Sequence, residues 1–335
     1  MTIASDAPLV GLDAVREAAA TLRGIAIRSP LVPFGAPAAR HYLKAESLQP
    51  IGAFKIRGAY VAVASLSTEE RARGVITYSS GNHAQGVARA ARLLGAPAVV
   101  VMPSDAPAIK RQRVAADGAE IVIVGTASDE RQLVAERIAI ERGLAIIPPF
   151  DDDRVIAGQG TVGLEIAEDL PDIGAVLVPI GGGGLASGVA VAIRALVPDA
   201  RVIGVEPELG ADARDSLAAG RIVMWAAADT SRTIADGTRT RAIGQRPFAH
   251  LSRLLDSIVT VSEAQIAAAV RLGAEESRLV VEPSGALSIA ALAFRAGEVG
   301  LDRLAGRPVV AVVSGGNVDP ERYLEFLRAP VPPRA

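Results

Sequence analysis

Short runs of aliphatic and β-branched residues recur along the chain, and most give way to a longer, often Ala-rich stretch. The runs are VITYSS (75–80), PAVVVMP (97–103), EIVIVG (120–125), LAIIPPF (144–150), AVLVPI (175–180), RVIGVE (201–206), SIVTV (257–261) and PVVAVVS (308–314). Continuous apolar runs of this length predict strands buried on both faces. The intervening stretches at 83–94, around Lys110 to Arg113, at 129–142 and at 185–196 predict helices. Strands alternating with helices predict an α/β architecture with parallel sheets. The segment PPFDDDRVIAGQG separates two such series, so two domains are expected.

One helix begins with an odd residue. After the Pro50-Ile51-Gly52 break, Ile56, Ala59, Tyr60 and Val63 fall at helical spacing. That puts Lys55 in the first turn, at the positive end of the helix dipole, where a cation is disfavoured. A buried amine in such a place is pushed toward its neutral, nucleophilic form.

Composition narrows the functional classes. The 335 residues are 50% hydrophobic, enough for a large core, with a net charge of −2 and 3% aromatics. With no basic run, nothing points to nucleic acid. There are no cysteines, which excludes disulfides, thiolate metal sites and cysteine nucleophiles and agrees with a reducing compartment. The first residues carry Asp6, Asp13 and Glu17 without an apolar run, unlike a signal peptide. No stretch approaches the ~18 apolar residues of a membrane span. The expectation is a soluble cytoplasmic protein acting on a small molecule, with no membrane or nucleic-acid partner.

In open α/β sheets, ligands bind beyond the carboxyl ends of strands, and three turns there carry chemistry. Gly181-Gly182-Gly183-Gly184 lies between a strand and a helix and suits a phosphate. SSGNH, Ser79-Ser80-Gly81-Asn82-His83, offers hydroxyls and free amides to a carboxylate. SGGN places Ser314 at the end of the last strand. A rival reading takes Gly181, Gly183 and Ala186 as a dinucleotide fingerprint, with Glu206 as the ribose-binding acid; it leaves Lys55 without a purpose. An isolated amine, a phosphate nest, a carboxylate cradle and a hydroxyl at a strand end together match the needs of pyridoxal 5′-phosphate and an amino-acid substrate.

The stretches LKAESLQPIGAFKIRGAY, SSGNHAQGVA, VIAGQGTVGLEI, VPIGGGGLASG and SGGNVD, in order from about residue 20 to 325, resemble the serine/threonine dehydratase and serine racemase family. These are pyridoxal-phosphate enzymes of the tryptophan-synthase-β fold, with two open parallel-sheet domains and the cofactor in the cleft between them. The resemblance implies a large domain of residues 1–68 and 152–325, a small mobile domain at 74–148, a loose tail at 326–335 and no C-terminal regulatory domain. It implies that Lys55 carries the cofactor as a Schiff base and that Phe54 packs beside its ring. Asn82 would bond the ring oxygen, Gly181 to Gly184 the phosphate and Ser314 the pyridine nitrogen. Ser79, Ser80, Gly81, Asn82 and His83 would hold the substrate carboxylate, and Ser80 matches the second acid/base of serine racemases. The resemblance further implies a divalent cation, Mg²⁺ or Ca²⁺, on Glu206, the Gly210 carbonyl and Asp212, and a homodimer. The activity expected is ammonia release from L-threonine or L-serine, with serine racemisation or 3-hydroxyaspartate dehydration as the alternatives within the family. More remote readings are a nicotinamide-dependent oxidoreductase and a non-catalytic amino-acid-binding regulator.

Overall fold

The computed structural model describes residues 8–79, 81–104, 106, 108–125 and 128–334. Their strands are β1 (Leu31–Pro33), β2 (His41–Ala45), β3 (Val75–Thr77), β4 (Ala98–Pro103), β5 (Glu120–Val124), β6 (Ala145–Ile146), β7 (Ala175–Pro179), β8 (Arg201–Pro207), β9 (Ser257–Val261) and β10 (Val309–Val313). They form two sheets, ordered β1-β2-β10-β7-β8-β9 and β5-β4-β3-β6. Every pairing is parallel except β1 with β2. The architecture is therefore two parallel-sheet α/β units. The smaller sheet is built within residues 75–146, and the larger from strands on either side of it in sequence.

Most of the apolar runs became buried strands because helices cover the sheet faces; EIVIVG is the exception, forming the edge strand β5 with no buried residue and Ile123 46% exposed. All five residues of β10 are buried, as are all five of β7. The Pro283–Phe294 helix is buried along its whole length and packs against β10 and β7; a helix apolar all round belongs in an interior.

Three features were not legible in the pattern. β1 and β2 are absent from the apolar runs, because β2 buries Lys44, a residue whose side chain reads as surface. The segment PPFDDDRVIAGQG (148–160), which reads as a divider, runs into a 17-residue helix, Asp153–Asp169, capped by the Asp152 side chain on the amides of Arg154 and Val155. Residues 326–335, expected to be loose, are tied down in part: Phe326 is buried, and Arg334 pairs with Glu276. No helix among the described residues is long and apolar enough to cross a membrane.

Glycines set how closely the helices around Lys55 approach. A Cβ at Gly158 would lie 2.6 Å from the Gly58 Cα and 2.8 Å from the Arg57 carbonyl oxygen. Only a residue without a side chain lets the Lys55–Ala64 and Asp153–Asp169 helices touch backbone to backbone there.

Candidate active site

Lys55 is the first residue of the Lys55–Ala64 helix, and Phe54 is its N-cap. The Phe54 amide donates to Ser314 O at 3.0 Å, and Ala53 bridges Gly315. These bonds join the helix start to the end of β10. The Lys55 ammonium donates to Pro149 O at 2.6 Å and has no carboxylate partner among the described residues. Burial lowers its pKa from 10.5 to about 8. The Nζ lies 5.1 Å from the Phe54 ring centroid.

Two residues on, Arg57 anchors the same turn. Its guanidinium donates to Glu46 at 2.8 Å and to Glu165 at 2.6 Å, and Lys44 donates to Glu165 at 2.6 Å. Ser29 and Gln49 complete the cluster around Glu46. Lys44, Glu46 and Arg57 are each at most 1% exposed. Sequence reasoning missed this network, although Lys44, Glu46 and Arg57 all lie in the stretch LKAESLQPIGAFKIRGAY.

The glycine turn is linked to Lys55 through residues 149 and 150. The Phe150 ring packs on Gly182, where a Cβ would meet it at 2.2 Å. Gly183 has φ of +92°, a conformation that glycine adopts without penalty. Among the described residues, no backbone carbonyl accepts from the amides of Gly181 to Ala186; the first amide to do so is that of Ser187, on Gly183 O. Unclaimed amides at the start of the Gly184–Leu196 helix form an anion cradle.

Asn82 begins the Asn82–Leu94 helix. Its Nδ2 donates to Glu282 at 2.7 Å, and its Oδ1 accepts from Asn317 Nδ2 at 2.8 Å, so the amide is held in one orientation. Burial, reinforced by nearby Asp236, pushes Glu282 up to about 7. Lys110 pairs with Asp236 at 2.7 Å, and Arg113 donates to Asn317 at 2.5 Å. These two contacts join the Ala108–Ala116 helix of the smaller unit to the larger one beside the site. Glu282, Asn317 and Asp236 were also missed; the only signal was the position of Asn317 within SGGN. Ser314 is buried, and its Oγ makes only a long contact, 3.5 Å, to Ser284 O.

The remaining candidates fall as follows. The Ser79 hydroxyl accepts from the Gly81 amide at 3.3 Å, and Ser80 lies outside the described residues. His83 is buried with its ring on Ile147 O, so only its backbone faces the turn. Glu206 is buried and accepts from the amides of Ala213 and Arg214 at 3.0 and 2.8 Å. Its carboxylate is fully buried on those two amides, so it is not exposed to take a ribose as the dinucleotide reading needs. Asp212 is buried with neither carboxylate oxygen in a well-formed hydrogen bond, although Thr240 and the Ile243 amide lie nearby. Burial and mutual repulsion raise Glu206, and burial raises Asp212 to about 7. Gly210 closes the short turn between them. Two carboxylates and a carbonyl suit a hard cation, but no group of three or more His, Cys, Asp or Glu among the described residues is arranged to hold a metal ion.

A half-buried lysine at a helix start, bonded to a backbone carbonyl and linked to a cradle of free amides between two parallel-sheet units, defines a class: enzymes that hold a phosphate-bearing aldehyde cofactor on an amine. The chain belongs to the pyridoxal-phosphate dependent enzyme family, whose model matches residues 23–315. It is 44% identical to the L-threo-3-hydroxyaspartate ammonia-lyase of Saccharomyces cerevisiae, over 86% of each chain. It is 42% identical to the L-threonine ammonia-lyase of Thermotoga maritima, over 93% of this chain and 76% of that one. The structure of maize serine racemase superposes with a TM-score of 0.89 at 35% identity, covering 95% of this chain and 97% of that one.

Proposed function

We propose that this chain is an ammonia-lyase that releases ammonia from L-threonine or L-serine, giving 2-oxobutanoate or pyruvate. The observation that carries the proposal is Lys55: a half-buried amine with a pKa of about 8, bonded among the described residues only to a carbonyl and linked through residues 149 and 150 to the glycine cradle.

The residues present fit the cofactor. The amides of Gly181 to Ala186, unclaimed by other carbonyls, suit its phosphate. The Ser314 hydroxyl, nearly free of other bonds, suits a ring nitrogen. The second proton of the Asn82 amide is available for the ring oxygen, in the orientation set by Glu282 and Asn317. Bound there, pyridoxal 5′-phosphate supplies an aldehyde for amines and an electron sink for the substrate α-carbon.

Lys55 has two tasks. Its amine would hold the cofactor's aldehyde, and, once released, would serve as the base for the α-proton. A pKa near 8 serves both, because much more of the amine is unprotonated at neutral pH than in an ordinary lysine. The start of the Asn82–Leu94 helix, with the Ser79 hydroxyl beside it, suits the substrate carboxylate. Ser314 carries no charge and, unlike an aspartate partner, would not hold a proton on the ring nitrogen. That favours prompt loss of the β-hydroxyl over side reactions.

The reading includes Mg²⁺ or Ca²⁺ on Glu206, the Gly210 carbonyl and Asp212, supported by the buried Asp212 oxygens. Either ion should raise the melting temperature of the wild type and leave Asp212→Asn unmoved.

The deciding experiment is a product assay on the purified protein. L-threonine, L-serine and L-threo-3-hydroxyaspartate are supplied separately, and 2-oxobutanoate, pyruvate, oxaloacetate and D-serine are measured. Dominant 2-oxobutanoate or pyruvate supports the proposal. Dominant oxaloacetate would move the assignment to hydroxyaspartate, and dominant D-serine, lost in Ser80→Ala, to racemisation. Borohydride should fix the cofactor to the Lys55 peptide and to no other.

A further inference from the structure

One buried group beside Lys55 has no part in that scheme. The His83 side chain is 2% exposed, and its Nε2 lies 3.0 Å from Ile147 O. A carbonyl only accepts, so Nε2 carries the proton and Nδ1 keeps a bare lone pair. Nδ1 is buried and has no hydrogen-bond partner among the described residues. A buried acceptor left without a donor costs free energy, and such a group calls for an explanation.

The packing brings the turn that carries His83 against the start of the Lys55 helix. The Asn82–Leu94 helix meets the start of the Lys55–Ala64 helix at Gly86, where a Cβ would lie 3.1 Å from Lys55 O and 3.2 Å from the Ala59 Cβ. His83 is three residues before Gly86, one turn earlier on the same face. The two side chains also share one anchor segment: Ile147 O accepts from His83, and Pro149 O accepts from Lys55. Besides burial, the Lys55 charge is the strongest influence holding the imidazole neutral, at about 3. The other charged group acting on it is Asp152, which is itself paired with Arg154.

We propose that His83 Nδ1 is a second hydrogen-bond acceptor for the Lys55 ammonium, which moves between Pro149 O and His83 Nδ1 as the amine gains and gives up its proton. His83 is thus a positioning residue, and the proposal rests on the role given to Lys55 above. A neutral imidazole suits the task. It orients an ammonium without the negative charge of a carboxylate, which would keep the lysine protonated.

The test uses the cofactor-free full chain and needs no turnover. Trace acetic anhydride is applied from about pH 6 to 11, a range spanning shifted and ordinary lysines, and acetylation of the Lys55 peptide is followed by mass spectrometry. Circular dichroism confirms that each variant is folded. The wild-type midpoint is expected near 8. His83→Gln can still donate to Ile147 O but has nothing at the Nδ1 position, and His83→Leu has neither group. Both should lower the midpoint by about 1 unit, because the ammonium loses an acceptor. His83→Asn, whose amide oxygen replaces Nδ1, should keep the wild-type midpoint. An unmoved midpoint in folded His83→Gln, or a fall in His83→Asn equal to that in His83→Gln, would overturn the proposal. Because no cofactor is used, these outcomes are independent of whether borohydride fixes the cofactor to Lys55.

Discussion

Lys55 and Arg57 are two cations in the first turn of one helix, the first half-buried and the second fully buried, with opposite electrostatic fates. Burial opposes the charge on each. At Arg57 the attraction and hydrogen bonds of Glu46 and Glu165 outweigh it, and the guanidinium stays charged with its pKa raised. At Lys55 there is, among the described residues, only a carbonyl to set against burial, and the pKa falls to about 8. The acids repeat the contrast. Burial would raise Glu46, but Arg57 and Ser29 hold it below its usual range, whereas Glu206 has no such cation on its carboxylate and is raised. Burial alone therefore does not make a reactive group. The presence or absence of a counter-charge decides whether a buried ion is inert scaffold or a group ready to exchange a proton.

The strongest way to break this contrast is to remove each cation in turn. Lys55→Ala should lose the visible absorbance of the bound cofactor and at least about 10³-fold of the elimination rate, the scale of a lost general base. It should fold normally, since no buried carboxylate is left behind. A variant that still eliminated threonine at the wild-type rate would sink the assignment of Lys55.

Arg57→Leu should do the reverse damage. It leaves Glu46 and Glu165 without their main partner and should cost about 3 to 5 kcal/mol in urea unfolding. Adding Glu46→Gln should recover part of that loss. If the double variant were no more stable than Arg57→Leu, the uncompensated carboxylate would not be the cause.

Ser314→Asp tests the neutral end of the site. A carboxylate there would favour a protonated ring nitrogen. Ammonia release should slow by about tenfold, the effect of 1.4 kcal/mol on a barrier, and conversion of the cofactor to its amine form should rise. Unchanged rates and products would mean that Ser314 does not face the ring.

A last test sharpens the comparison by pH. The folded cofactor-free chain gives up the Lys55 proton near 8, whereas the unfolded chain keeps it to about 10.5. Between those values the unfolded state binds more protons, so the Lys55 contribution to stability rises with pH. Lys55→Met should therefore melt above the cofactor-free wild type at pH 7, and the gap should shrink as pH climbs from 8 toward 10.5. A gap independent of pH would mean that the folded chain does not depress the Lys55 pKa.

Much of the fold was written in the chain as pattern. Apolar runs such as VVAVV in β10 specify buried parallel strands, because only strands covered on both faces can be apolar throughout. Four consecutive glycines between a strand and a helix specify a close-approach turn with free amides. A lysine in the first turn of an amphipathic helix marks a candidate amine, and family resemblance turns these local signals into an activity. What no local pattern carried is where the unpaired and paired charges end up. Lys44, Glu46, Arg57 and Glu165 meet from strand, turn and two helices up to 121 residues apart. Glu282 and Asn317 reach Asn82 across 200 and 235 residues. Whether a charged side chain is solvated, neutralised or left alone depends on what the rest of the chain brings within a few ångströms of it. The sequence determined the elements and the chemical types available at their ends; the tertiary structure alone decided which charges were paired and which amine was left reactive.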